Sequence, residues 1–309
     1  MPRVAILIPA SPNAAFLSEV AAFRVALGNL RWTRWHPTIY LYLGGPCDFD
    51  LFAKWRRHLP DVEIIWCSPA RFEQKDCWAQ SDAVFELAPR DADVILTMDA
   101  DTFPVWAFED VLDRVLATDC VAGLIAHYPF PLFPGTRPRE NWQRAAAGIV
   151  DVPLDFQFSY SLMDPAPDDP ELQAPFYLNF GVVFFSANRF DGIAKRYLSI
   201  RPTIMDRLHD PGFSGQVALT LAITAERCNV WSLGMRYNFP NDPIAERMYP
   251  EEKMHAVIYH YLRTTHFDRR LIFSSAEQYH AFLDLKLTGS NHDFQHAVRA
   301  FLGNQYPVD

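Results

Sequence analysis

Asp99 and Asp101 stand one residue apart where the apolar run Val94-Ile95-Leu96-Thr97-Met98 ends. In extended backbone, alternate residues share a side at about 7 Å per pair, so both carboxylates can turn toward one ion. Hard oxygen ligands of this kind suit Mg²⁺ or Mn²⁺ bridging a diphosphate. Two other Asp-x-Asp triplets, Asp91-Ala92-Asp93 and Asp48-Phe49-Asp50, compete for the role. Ligands of open α/β sheets bind beyond the carboxyl ends of strands, and Asp91 and Asp93 precede their run instead of following it. Asp48 and Asp50 do follow the run Thr38 to Leu43. However, Gly44-Gly45-Pro46 intervenes and a helical pattern starts at once, so they read as helix-capping acids.

These carboxylates need a sheet to hold them, and the flanking pattern supplies one. Short apolar runs at Val4 to Ile8, Thr38 to Leu43, Val62 to Trp66, Val94 to Met98 and Cys120 to Ile125 alternate with helical periodicity. The helices fall at Asn13 to Leu30, Phe49 to His58, Cys77 to Leu87 and Trp106 to Ala117. Such a βαβ series predicts an α/β fold with a mostly parallel central sheet flanked by helices. In the first helix Phe16, Val20, Phe23 and Leu27 recur at three- and four-residue steps and are expected in the core.

From His127 to Pro175 regularity fails, in a stretch rich in Pro, aromatic and acidic residues with room for a short helix at Glu140 to Gly148. It is expected to be an ordered lid or acceptor wall. Regularity returns with a strand at Tyr177 to Phe185, helices at Asn188 to Leu208 and Ser214 to Arg227, strands near Val230 and at Ala256 to Tyr261, and closing helices at Ala276 to Leu287 and His292 to Leu302.

The 309 residues, half of them hydrophobic and 14% aromatic, suffice for one large domain. A net charge of −9 excludes broad nucleic-acid binding, which needs a basic stripe. Five scattered cysteines without CxxC spacing suggest neither a disulfide framework nor a zinc site, which fits a reducing cytoplasm. The run Val4 to Ile8 is too short for a signal-peptide core or a bilayer span. The expected location is therefore cytoplasmic, with peripheral attachment at a membrane as the alternative and no Lys/Arg cluster to drive it.

Three further segments follow Asp99-Ala100-Asp101: Tyr177-Leu178-Asn179-Phe180-Gly181-Val182, Ser214-Gly215-Gln216-Val217-Ala218-Leu219 and Ile258-Tyr259-His260-Tyr261-Leu262-Arg263. Their order and spacing resemble a GT-A-fold glycosyltransferase, most similar to the retaining family 8 that includes glycogenin and lipopolysaccharide galactosyl- and glucosyltransferases. The resemblance runs from Val4 to His266 and is carried by these four motifs. It implies one GT-A domain over 1–309: a nucleotide-binding half at 1–126, an acceptor-side insertion at 127–176 and a sugar and acceptor half at 177–309. By resemblance Asp99, Asp101 and His260 hold the metal, with Asp99 near the ribose. Asn179 addresses the donor sugar, Gly181 allows close approach, Gln216 faces the anomeric carbon, and Pro9, Ala10 and Ser11 hold the nucleoside. The expected partners are a UDP-sugar and a glycan, lipid-linked sugar or protein acceptor, with Mn²⁺ or Mg²⁺ as cofactor.

The chain departs from the family at three places. Gly215 stands where an Asp usually precedes the glutamine. The helix before the Asp-x-Asp strand offers Gln80, Ser81 and Asp82 instead of a basic residue, with Lys75 the nearest cation. Arg263 and His266 replace the usual Gly and Lys after the histidine, and either could neutralise a diphosphate.

The chemistry needs a cation because negative charge gathers on the leaving diphosphate oxygen. Two carboxylates and one imidazole form a mixed set that Mn²⁺ accepts more readily than Mg²⁺. His260, between Tyr259 and Tyr261, also fits a hydrogen-bonded core histidine, with His266 as the substitute ligand; His127, His209 and His255 are expected to be structural or at the surface. Inversion would require a carboxylate base, for which Asp155, Asp210 and Asp242 are candidates. Three competing readings are weaker. A sugar-phosphate nucleotidyltransferase needs a Gly-rich basic loop after strand one, absent from Pro9-Ala10-Ser11-Pro12-Asn13. A haloacid-dehalogenase-type phosphatase expects its nucleophilic Asp on the first strand, and Asp168-Asp169 is hemmed by prolines. A non-catalytic nucleotide-sugar-binding protein of the same fold would show a broken metal set.

Overall fold

The computed structural model describes residues 1–67, 79–163, 169 and 172–306. The first half runs β1 (Arg3–Ala10), α1 (Ala14–Asn29), β2 (His36–Leu43), α2 (Phe49–Arg56), β3 (Val62–Trp66), α3 (Ala79–Glu86), β4 (Val94–Met98), β5 (Thr102–Pro104), α4 (Glu109–Thr118) and β6 (Cys120–Ile125). The helix expected from Cys77 begins outside the described residues, as does Lys75. Next come α5 (Pro138–Ala146), β7 (Phe158–Ser159), β8 (Gln173–Ala174), β9 (Leu178–Ser186), α6 (Ala187–Leu208), α7 (Pro211–Ala225) and β10 (Asn229–Ser232). The chain closes with β11 (Phe239–Pro240), α8 (Pro243–Met248), α9 (Pro250–Met254), β12 (Ile258–His260), α10 (Ala276–Leu283) and α11 (Gly289–Leu302).

Among the described residues the main sheet has seven strands in the order β10-β6-β9-β4-β1-β2-β3. All neighbours pair in parallel except β9, which runs antiparallel to both β4 and β6. The near-continuous apolar strands are explained by burial on both faces. Residues of α1, α2 and α4 pack on one face, and those of α3, α5, α6 and α7 on the other. Asp48 caps α2, its side chain accepting from the amides of Asp50 and Leu51, and Arg3 pairs with Asp91 while its amide donates to Asp93. Both decoy triplets are thus engaged structurally.

Phe16 departs from expectation. It is half-buried rather than in the core, packed beside it with the Arg270 guanidinium 5.9 Å from its ring centroid. Within the described part of the 127–175 stretch Phe130, Trp142 and Tyr160 are buried, and Trp142 Nε1 donates to Tyr160 Oη at 3.1 Å. A second, three-stranded sheet, β11-β12-β5, follows directly from the Asp-x-Asp turn and seats on an aromatic cluster that includes Phe103, Phe239, Tyr259 and Phe294. Among the described residues no helix is long and apolar enough to cross a membrane.

Glu109, at the start of α4, locks the α1–β2 connection onto the sheet. Its carboxylate accepts from the amides of Thr33 and Arg34, each at 2.7 Å, from the amide of Trp35 at 3.1 Å and from the Thr33 hydroxyl at 2.7 Å. Burial alone would raise its pKa, but these donors outweigh it and hold the group down at about 2. A carboxylate depressed below its unfolded value near 4.5 contributes stability above that pH and loses it as pH falls toward about 2. Glu109→Gln is therefore expected to cost about 2–3 kcal/mol at neutral pH and almost nothing near pH 2. Urea melts of both proteins across that range check this, and a pH-independent difference would refute it.

Candidate metal centre

β4 ends at Met98 in the middle of the sheet, and the turn that follows is pinned on two sides. The Asp99 amide donates to the Gly181 carbonyl at 3.1 Å, and the Tyr261 amide donates to the Asp101 carbonyl at 3.1 Å. The Thr102 hydroxyl closes the turn onto the Asp99 carbonyl at 2.7 Å. Because β9 is antiparallel, its first residues lie at the edge where β4 ends, with Met98 opposite Val182. This places Asn179 and Gly181 beside the turn. The pairing of β12 with β5 sets His260 opposite Thr102 and brings the imidazole to the carboxylates.

Asp99, Asp101 and His260 each offer a ligand atom within 4.8 Å of the others. His260 Nε2 lies 3.3 Å from Asp101 Oδ1 and 3.8 Å from Asp99 Oδ2. The ring is buried, and burial lowers its pKa against the opposing pull of Asp99. On the other side of the ring, Nδ1 is 2.9 Å from Asn238 Oδ1, while Asn238 Nδ2 donates to Asn179 Oδ1 at 3.1 Å. Asn179 Oδ1 also accepts from the Gly181 amide at 2.9 Å. With Asn238 oriented by Asn179, its oxygen takes the proton of Nδ1, so Nε2 presents a lone pair to two carboxylates. The two carboxylates and the imidazole lone pair that converge here form an O, O, N donor set that fits Mn²⁺ or Mg²⁺. Asn238→Ala, which removes the group orienting the imidazole, is expected to weaken Mn²⁺ binding about 10- to 100-fold. Titration by electron paramagnetic resonance would refute this if the affinity were unchanged.

Residues not anticipated from sequence complete the surroundings. Arg269 forms an ion pair with Asp101 through Oδ2, the oxygen not facing His260. Behind it Glu19 of α1 is 2% exposed, and its Oε1 lacks a hydrogen-bond partner. Burial pushes Glu19 up to about 8, although Arg269 and Arg270 pull the other way. The Phe267-Asp268-Arg269-Arg270 segment has no periodicity tying it to Asp101, so only the fold could reveal the pair.

The other anticipated residues are dispersed around this centre. Pro9 and Ala10 end β1 instead of forming a loop, and Ser11 follows them. Pro9 and Asp99 line a small cavity of about 30 Å³ with Ser81, Thr97 and Phe180. Gln216 is half-buried in the second turn of α7, with no hydrogen bond from its amide among the described residues. A side chain at Gly215 would begin 3.2 Å from the Phe180 ring and 3.4 Å from Tyr197 Oη, so an Asp does not fit without rearrangement. Where α3 lacks a cation, Arg201 of α6 is buried and pairs with Asp82 at 3.5 Å. Arg263 donates through Nε and Nη2 to the single oxygen Oδ2 of Asp242, at 3.0 and 2.8 Å, and His266 is exposed and outside the metal-competent group. Asp242 and Asp210 each cap a helix, α8 and α7 respectively, and Asp155 is exposed.

No family model and no curated sequence matches the chain. Solved structures match in fold. The bifunctional glycosyltransferase WbbM in its apo form superposes with a TM-score of 0.58 at 12% identity, covering 98% of this chain and 50% of that one. The galactosyltransferase LgtC, in complex with donor and acceptor sugar analogues, gives 0.53 at 14% identity, covering 97% and 96%. Mouse xyloside xylosyltransferase 1 gives 0.50 at 15%, covering 85% and 99%. The chain spans half the length of WbbM. The architecture is the mixed α/β GT-A fold of these glycosyltransferases, and at such identities the likeness speaks for the fold alone.

Proposed function

We propose that the chain is a metal-dependent hexosyltransferase that moves a sugar from a UDP-sugar to an acceptor hydroxyl with retention of configuration. The observation that carries this reading is the convergence of Asp99, Asp101 and the oriented Nε2 of His260 at the carboxyl end of β4 in this fold. These three would hold Mn²⁺ or Mg²⁺, and the bound ion supplies positive charge to the departing diphosphate. Pro9, Ala10 and Ser11 at the end of β1 would hold the nucleoside. Arg269, beside the carboxylates, is better placed for the diphosphate than Arg263, which Asp242 holds, or the exposed His266.

Asn179 has its oxygen engaged twice, leaving its Nδ2 to donate to a sugar hydroxyl. The uncommitted amide of Gln216 would stabilise the cationic face of the sugar. Retention is supported by the fate of the candidate bases: Asp210 and Asp242 are committed to helix caps. Acceptors in scope are a glycan, a lipid-linked sugar or a protein hydroxyl. The cytoplasmic location belongs to the same reading, supported by Cys47, Cys120 and Cys228, which form no disulfide among the described residues.

A thermal-shift screen of nucleotide sugars with and without Mn²⁺ tests the proposal. One donor is expected to raise the melting temperature only with metal, by the mass-action stabilisation of a bound native state. No rise with any donor would sink the reading. A rise without slow donor hydrolysis would instead favour a nucleotide-sugar-binding protein.

A further inference from the structure

A cavity of about 550 Å³ opens between the last turn of α2 and the start of α10. Lys54, Arg57 and His58 line it on one side, Ser275 and Tyr306 on the other, with the buried Trp55 beneath. None of its lining residues is acidic, in a chain whose net charge is −9. Lys54 and Arg57 are exposed, and among the described residues neither has an ion-pair partner. Cations in the last turn of a helix often serve its carbonyl end, and here Arg56 does so, its guanidinium donating to the Leu59 carbonyl. Arg56 does not line the cavity. Lys54 and Arg57 do, and a concave wall of one sign focuses potential on whatever enters.

Neutral donors on the facing wall add to these charges. The Ser275 side chain accepts from the Gln278 amide at 3.3 Å, which leaves its hydroxyl hydrogen to donate outward. The amides of Ala276 and Glu277, the first two of α10, have no partner within that helix. Tyr306 gives its hydroxyl to the Phe273 carbonyl at 2.7 Å and so offers the cavity its ring. The place is remote from the metal centre. β2 and β3 are parallel, so α2 runs back between them and its last turn lies toward the amino edge of the sheet, whereas Asp99 and Asp101 follow the carboxyl end of β4. We infer that this cavity binds the phosphoryl group of a small phosphomonoester. Such a dianion draws on several cations and N–H or O–H donors at once, and a guanidinium can grip it through two parallel hydrogen bonds. The volume falls within the range of about 300–1,000 Å³ usual for small-molecule sites. It leaves room for an organic body against Trp55 and Tyr306.

Isothermal titration calorimetry on the full chain at constant ionic strength tests this, with glucose 6-phosphate, glycerol 3-phosphate and inorganic phosphate as probes. EDTA keeps metal from the Asp99 centre, so the titration reads this cavity whether or not the chain transfers sugars. At least one ester is expected to bind, more tightly than inorganic phosphate, while glucose and glycerol at the same concentrations do not bind. The double variant Lys54→Gln, Arg57→Gln is expected to weaken that ester at least about tenfold, since hydrogen bonds from charged groups are lost. Both side chains are exposed, so the melting temperature of the ligand-free double variant is expected to match that of the parent. Failure of both esters to bind, or equal affinity in parent and double variant, overturns the assignment. Inorganic phosphate binding as tightly as either ester would overturn the organic ligand. Sedimentation with phosphatidylcholine vesicles containing phosphatidic acid, without binding of either soluble ester, would transfer the same chemistry to a lipid headgroup and overturn the small-molecule site.

Discussion

Asp101→Ala is expected to lower kcat/KM for sugar transfer by about a thousandfold or more, and to leave a purified protein that no longer retains manganese. Asp101 is the most enclosed of the two carboxylates, its side chain 11% exposed against 42% for Asp99. It faces His260 through one oxygen and Arg269 through the other. Removing it takes away one of the three ligands and leaves Arg269 beside the place where the ion would sit. A metal that acts as Lewis acid contributes several kcal/mol to the transition state, and each ~1.4 kcal/mol is about tenfold in rate. Paired measurements of donor turnover and of bound Mn²⁺ decide the matter. Undiminished transfer by a variant that never holds Mn²⁺ or Mg²⁺ would refute the metal-dependent mechanism. Asp99→Ala, at the more open carboxylate, should have the smaller effect of the two.

Gly181→Ala is the second large effect, although the added methyl group never touches the ion. A Cβ at 181 would stand 2.5 Å from both Cε1 and Nδ1 of His260 and 3.0 Å from Asn179 Oδ1. The imidazole has no flexible end that could swing clear: it is buried and tied through Nδ1 to Asn238. Relief must come from rotating the ring or shifting β9, and either turns Nε2 off the carboxylates. The expected result is Mn²⁺ binding weakened about 100-fold with a modest fall in melting temperature, since disturbed ligand orientation typically costs 10- to 100-fold in affinity. Unaltered Mn²⁺ affinity would show that the close packing of Gly181 on His260 plays no part in holding the site. The same contact gives Gly181 a physical role here that differs from making room for a sugar: the glycine makes room for a histidine.

The fold was largely legible in the chain. β3, β4 and β6 occupy Val62–Trp66, Val94–Met98 and Cys120–Ile125, the bounds expected from their apolar runs. β4 and β6, inside the sheet, show as unbroken apolar runs because both their faces are covered, while β3 at the edge keeps an exposed Glu63. The short strands β5 and β11 were not foreseen, nor were α8 and α9, and β12 proved shorter than Ala256 to Tyr261. Segments of two to six residues are too brief to carry a period, and β5 is a strand only because β12 lies against it. Phe16 shows the opposite failure. Its spacing places it in the apolar stripe of α1, but it lies in the first turn of that helix, half-buried, with the Arg270 guanidinium over its ring.

At the candidate site, the sequence by itself determined which ligand types were on offer and that Asp99 and Asp101 would emerge where β4 ends, because residue alternation and the end of an apolar run are local properties; that Asn179 and Gly181 lie beside them follows from the antiparallel direction of β9. Only the tertiary structure decided what meets them. Asn238 turns His260, Arg269 reaches Asp101, Glu19 and His127 are buried with unsatisfied atoms, and Arg263 is held away on Asp242. Each of these depends on pairing between elements far apart in the chain, where neither spacing nor composition constrains the distance between two side chains.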